Sequence, residues 1–211
     1  MIYAIKIKTL ENNGIKLKKE NTKNNEQSTW FTSDLHFGHK NIMKFCPKYR
    51  SHCQDVETMD EMLIDMWNKS VKPNDVVYDL GDLFFYRDLN KIKSILKRLN
   101  GKHHLILGNH DVHLLPMKQE LLDEGLLESV SSYKEIQLYD GTKAVLFHYP
   151  IFEWNQGHRG SIMLHGHIHD RNLNHKINGK ILNVGFDNFG YMLNENMIFD
   201  LTKDMSKITF D

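Results

Sequence analysis

Alternating apolar and polar positions divide the chain into two unlike halves. "TWFTS" beginning near Ser28, "DVVYDL" and "HHLIL" are short runs rich in β-branched and aromatic residues, which predict buried strands. Between them the apolar positions recur at three and four. Val56, Met59, Met62, Leu63, Met66 and Trp67 mark one helix face, and Leu89, Ile92, Ile95, Leu96 and Leu99 mark another with its lysines outward. "MKQELLDEGLL" predicts a further helix ended near Gly125, and a short helix is expected after the loop "DLHFGHKN". From Tyr133 onward the period is two. "KEIQLYDGTKAVLFH" reads as a hairpin turning at Asp140-Gly141, followed by "SIMLH" and a second hairpin around Asn178-Gly179 that leads into "KILNV". Strand-helix alternation followed by strands alone predicts a mixed α/β class, with sheets packed face to face and helices outside.

Residues 1–27 stand apart. "IYAIKIKTLENNGIKLKK" predicts two strands around Asn13-Gly14, and "ENTKNNEQS" is polar without period, so a hairpin extension and linker precede one domain over 28–211. A chain of 211 residues suffices for one full core. Its formal net charge of zero supplies no global field for nucleic acid or an anionic membrane, although a local basic patch remains open. The two cysteines, Cys46 and Cys53, make no disulfide framework and predict free thiols. No apolar run reaches membrane-spanning length, and the opening alternates lysines with apolar residues, so a cytoplasmic protein is expected.

Thirteen histidines change the picture. Position matters more than number, because candidate ligands follow one predicted strand after another. Asp34 and His36 follow "WFTS", Asp82 follows "VVYDLG", and Asn109, His110 and Asp111 follow "HLILG". His148 follows "AVLF", while His167 and His169 follow "SIMLHG". Sheets aim the loops beyond their strand ends at a common crevice. Residues two apart on an extended segment share a face, which would let Asp34 work with His36 and His167 with His169. Mixed carboxylate and imidazole donors suit manganese, iron, zinc, cobalt or nickel better than calcium or magnesium. Two such ions sharing Asp82 could clamp both oxygens of a displacement at phosphorus, and the neutral Asn109 amide would leave positive charge for the phosphate.

The ordered blocks "SDLHFGHKNI", "LGDLFF", "LGNHD", "LFHYP" and "WNQGHRGSIMLHGHIHD" resemble the calcineurin-like metallophosphoesterases, closest to a small bacterial and phage branch of predicted phosphohydrolases. The resemblance spans roughly Thr29 to Asn188. It implies a four-layer sandwich in which helices flank two mixed sheets. It also implies two divalent transition-metal ions, manganese foremost. Asp34, His36, Asp82 and His169 would hold the first, and Asp82, Asn109, His148 and His167 the second. A water bridging the ions would be the nucleophile, His110 would protonate the leaving oxygen, and Asp111 would orient His110. Arg159 would clamp phosphate, its guanidinium matching the oxygens in pairs, and His39 would line the substrate side.

The expected activity is hydrolysis of a phosphodiester or nucleotide, the substrate being small, such as a nucleotide or cyclic nucleotide. A nuclease, a phosphomonoesterase and a non-catalytic scaffold stay open as alternatives. The "GDxVDRG" and "GNHE" of protein serine/threonine phosphatases are absent, which disfavours a phosphoprotein substrate. His103, His104, His113 and His175 are expected at the surface or in turns, and His165 facing away from the ions. The aromatics of "LFFYR" are expected in the core or a pocket wall.

Overall fold

In the computed structural model, residues 27–171 and 177–209 are described. The hairpin and linker expected over 1–27 lie outside them apart from Gln27, as does His175. Two sheets form the centre. The first runs in the order β4-β3-β2-β1-β9 and the second β5-β6-β7-β8. Strands β1 (Thr29–Thr32), β2 (Val76–Asp79), β3 (Lys102–Ile106) and β4 (Ser129–Ser131) are parallel, with β9 (Leu193–Asn194) antiparallel at the edge. In the second sheet β5 (Tyr133–Gln137) pairs antiparallel with β6 (Lys143–Phe147). Strands β6, β7 (Ile162–His165) and β8 (Ile181–Asn183) are parallel. Both sheets are therefore mixed, and the parallel strands carry the loops that matter.

Period-two alternation sorts the core. Phe31, Ile106, Ala144, Leu146, Ile162 and Leu164 meet between the sheets. Val77 and Leu105 face the other way, toward the helices. Burying a Leu or Phe side chain contributes roughly 1.5–3 kcal/mol, so slipping any of these strands by one residue would invert both faces. The outer side of the second sheet is covered differently, by Trp154 and Ile208 packed on Val145 and Met163.

The helices follow their stripes. Helix α1 (Ile42–Phe45) is one turn, and α2 (Val56–Ser70) buries Met59, Leu63, Ile64 and Trp67. Helix α3 (Leu89–Leu96) buries Ile92, Ile95 and Leu96. The Asp55 and Asp88 carboxylates accept from the Thr58 and Lys91 amides at 2.8 and 2.7 Å, satisfying donors that a helix start leaves unpaired. Helix α4 (Lys118–Asp123) ends just before Gly125, as expected, and follows a 3-10 segment over Asp111–Met117 that contains Pro116. The short α5 (Phe186–Phe189) and α6 (Glu195–Thr202) close the chain's end.

Some expectations need correction. His103 lies buried in β3, stacked on Trp67 at 5.2 Å, and is not a surface residue. His104, in the same strand, stacks on Tyr78. The turn at Asn178-Gly179 does lead into β8, but its other arm falls partly on 172–176, outside the described residues. Both cysteines are buried free thiols. Among the described residues no helix is long and apolar enough to cross a membrane.

Candidate metal centre

The parallel strands of both sheets end on the same side, and the candidate residues follow those ends. Asp34 and His36 come after β1, Asp82 after β2, Asn109 to Asp111 after β3, His148 after β6, and His167 and His169 after β7. Among the described residues, besides Cys46 with His169 and Asp187, two groups have ligand atoms within 4.8 Å of one another: Asp34 with His36 and His169, and Asp82 with His148 and His167. Asp82 lies between them. Its Oδ2 is 3.8 Å from His36 Nε2 and 3.4 Å from His148 Nε2. Asn109 joins the second group, with Oδ1 2.8 Å from His167 Nδ1 and 3.1 Å from His148 Nε2.

The loops achieve this by turning, not by extension. Asp34, His36, Asp82, His167 and His169 all have positive φ, between 52° and 69°. Only one other described non-glycine residue, Gln156, shares that conformation. A left-handed side-chain-bearing residue costs roughly 1–2 kcal/mol, and such strain concentrates where function over-determines the backbone. The expectation that i and i+2 partners share a strand face is thus corrected. Strand β7 ends at His165, and His167 and His169 lie on the turn beyond it. His165 itself stays on the strand, opposite in alternation to Leu164. It is buried, its Nδ1 meets the Gly166 carbonyl at 2.8 Å, and it joins neither group. Glycines leave room for the convergence: a Cβ on Gly108 would overlap the Asp82 carboxylate, and one on Gly166 would overlap Ser33 Oγ.

The hydrogen bonds fix which atoms face inward. His148 Nδ1 lies 2.7 Å from the Leu80 carbonyl, which can only accept, so that nitrogen carries the proton. The Nε2 then faces the Asp82 and Asn109 oxygens, and against the opposing effect of burial the bond to Asp82 raises the His148 imidazole above its ordinary value. Acceptors facing acceptors at these distances need a cation or a proton among them. His36 is 1% exposed, yet neither of its ring nitrogens has a hydrogen-bond partner. A buried polar atom left unpaired calls for an explanation such as an ion. Burial pulls the His36 imidazole down to about 3 and lifts the Asp34 carboxyl to about 6. The histidine is thereby kept neutral, as ligation requires. The donor set fits divalent transition metals.

Two supporting residues carried no signal in the motif blocks. Asp187, on α5, accepts from His169 Nδ1 at 2.8 Å. That hydrogen bond, with a smaller effect of Cys46, raises the His169 imidazole to about 10. Arg50 is fully buried. It donates to Asp187 at 3.1 Å and to the carbonyls of Asp34 and Leu35 at 2.8 and 3.0 Å. A carboxylate behind a ligating histidine sets its tautomer and orientation. Only their separation along the chain hid this pair.

The remaining candidates fall on different sides. His110 is exposed, its ring 5.5 Å from that of His36 and its amide donating to Asp82 Oδ1 at 2.8 Å. His39 lies alongside, 5.4 Å from His36 and 6.4 Å from His110. Asp111 does not orient the His110 ring. Its carboxylate accepts from the amides of Asp82, Leu83 and Gly108 at 2.7, 3.2 and 2.8 Å, so it locks two ligand loops together. Arg159 is also corrected. It sits exposed in the turn Gly157–Arg159 just before β7 begins, at the end of that strand opposite the ligands. The "WNQGHRGS" stretch braces a loop: Trp154 Nε1 donates to the Ser161 carbonyl, and Ser161 Oγ to that of Asn155.

Acids, histidines and one amide are thus gathered beyond the parallel strand ends of two mixed sheets. The chain belongs to one family with a phage protein. It is 30% identical over 199 residues to the gene 66 protein of Mycobacterium phage L5, a match covering 82% of this chain and 93% of the phage protein. It is 34% identical over 145 residues to protein MJ1445 of Methanocaldococcus jannaschii, covering 68% and 70%. Among solved structures, protein AQ665 of Aquifex aeolicus superposes with a TM-score of 0.63 at 25% identity, covering 83% of this chain and all of that one. No family model matches the chain.

Proposed function

We propose that this chain hydrolyses a phosphate ester, with a phosphodiester or nucleotide favoured over other monoesters. Two divalent transition-metal ions, manganese foremost, would be held by Asp34, His36, Asp82 and His169 and by Asp82, Asn109, His148 and His167. The observation that carries the reading is the set of inward-facing acceptors around Asp82, with His36 buried and unpaired among them. Such ions, when bound, supply positive charge to phosphoryl oxygens and acidify water.

The chain's own groups do the rest. Asn109 adds an oxygen without adding charge, so the centre stays attractive to a phosphate. His110 is anchored through its amide to Asp82 Oδ1, which holds its exposed ring at the mouth. There it donates a proton to the leaving oxygen, a role worth roughly 10²–10⁴-fold in rate. His39, beside His110, borders the substrate side. Asp111 keeps the loops of Asp82 and Gly108 in register, which fixes where His110 stands. Arg159 has no part in the site.

The test is a hydrolysis screen with manganese, nickel and zinc over bis(p-nitrophenyl) phosphate, p-nitrophenyl phosphate, cyclic nucleotides and nucleic acids. Turnover that falls about 10²–10⁴-fold in His110→Ala, with metal content retained, is the expected result. No hydrolysis of any ester with any metal would favour a binding scaffold instead.

A further inference from the structure

The segments that carry His36 and Asp82 continue into a pair of loops whose aromatic residues divide sharply. Phe37 and Phe84 are 0% and 1% exposed and pack on each other at 5.6 Å in the core. Phe85, the next residue, is 43% exposed, and Phe45 on α1 is 70% exposed. Solitary exposed apolar residues are ordinary, but these rings are connected. His39 stacks on Phe85 with centroids 3.9 Å apart and planes 8° from parallel, and Phe45 meets His39 edge-on at 6.4 Å. Phe85 lies 5.7 Å from the His110 ring. The aromatic row therefore begins at the candidate metal centre and runs outward to solvent.

The row is built to stay in place. The Phe37 amide donates to Leu83 and the Phe85 amide to Phe37, a short parallel bridge between the two loops. Behind it Asp60 of α2, itself buried, accepts from the Gly38 amide at 3.0 Å and from Tyr86 Oη at 2.8 Å. One carboxylate thus ties the loop of His39 to the loop of Phe85. Exposed cations, Lys40, Lys44 and Arg87, belong to the same segments. A fixed aromatic face beside cations, continuous with a phosphate-directed centre, matches a base joined through a sugar to a phosphate. Every nucleobase offers a π-face, and stacking on protein aromatics is a general means of holding one.

We infer that Phe45 and Phe85, with His39 between them, form a seat for the nucleobase of the substrate, so that the ester hydrolysed is a nucleotide's. This rests on the phosphoesterase reading and narrows its substrate class.

Binding can be measured apart from turnover. The phosphonate analogues of AMP and of ribose 5-phosphate, in which carbon replaces the ester oxygen, are titrated calorimetrically into the manganese-loaded full chain. The expected result is about tenfold tighter binding of the adenosine compound, in line with one stacked base. Phe45→Leu and Phe85→Leu should each narrow that gap and together close it to within about twofold. Thermal melting of both variants confirms that they remain folded. Equal affinities in the unaltered chain, no binding of either compound, or a gap that survives the double substitution would overturn the seat. Hydrolysis of bis(p-nitrophenyl) phosphate separates the two failures. If it proceeds, the phosphoesterase reading stands without the seat; if it does not, both fall.

Discussion

The two groups of candidate ligands that meet at Asp82 are held in different ways. The group of Asp34, His36 and His169 is braced from beneath by side chains, since Arg50 and Asp187 are buried behind it and reach His169 and the Asp34 carbonyl. The group of Asp82, His148 and His167 is hung on backbone. His148 is fixed by the Leu80 carbonyl, and Asp82 is positioned by Asp111 acting on its amide. Asn109, which completes that group, is exposed. Each group buries two candidate ligands and leaves a histidine partly exposed, and only the second adds an exposed residue, Asn109.

The difference can be broken first at Arg50. Replacing it with methionine leaves Asp187 buried without its cation. Losing one partner of a buried ion pair typically costs about 3–5 kcal/mol. Urea unfolding should show a loss of that size, and a loss below about 1 kcal/mol would mean that the brace is ornamental. Asp187→Asn is milder, because the fold keeps its volume while His169 loses its orienting carboxylate. Metal affinity should fall about 10–100-fold at one position only, seen as one weakened and one unaltered step in a manganese titration. Equal weakening of both steps would contradict the division. Arg159→Ala should do least. At the far end of β7 it should change stability by less than about 0.5 kcal/mol and leave bis(p-nitrophenyl) phosphate hydrolysis as it was. A large loss of turnover there would restore the phosphate clamp.

These cases also show how far the residues spoke for themselves. Strands β1, β2, β3, β6 and β7 were legible because each is an apolar run followed at once by a polar or glycine-bearing loop, and that same punctuation marked the candidate ligands. Strands β4 and β9, three and two residues long, are too short to display a period. The left-handed turns at Asp34, His36, Asp82, His167 and His169 were not legible, since nothing local distinguishes an aspartate at φ 58° from one on a strand. Asp187 and Arg50 lie 137 residues apart, and only the fold makes them neighbours. Arg159 erred the other way: it belongs to a recurring motif, but the parallel crossover from β6 to β7 carries it away from the ligands. The neighbours Phe84 and Phe85 are identical as letters, and the loop alone decides which is core and which is rim.

The central claim is that two ions share one aspartate. Mass spectrometry of the native protein after manganese loading and desalting tests it directly. The account predicts two manganese ions per chain, falling below one in Asp82→Asn, because both positions lose the carboxylate between them. One ion per chain, or two ions retained by Asp82→Asn, would contradict it.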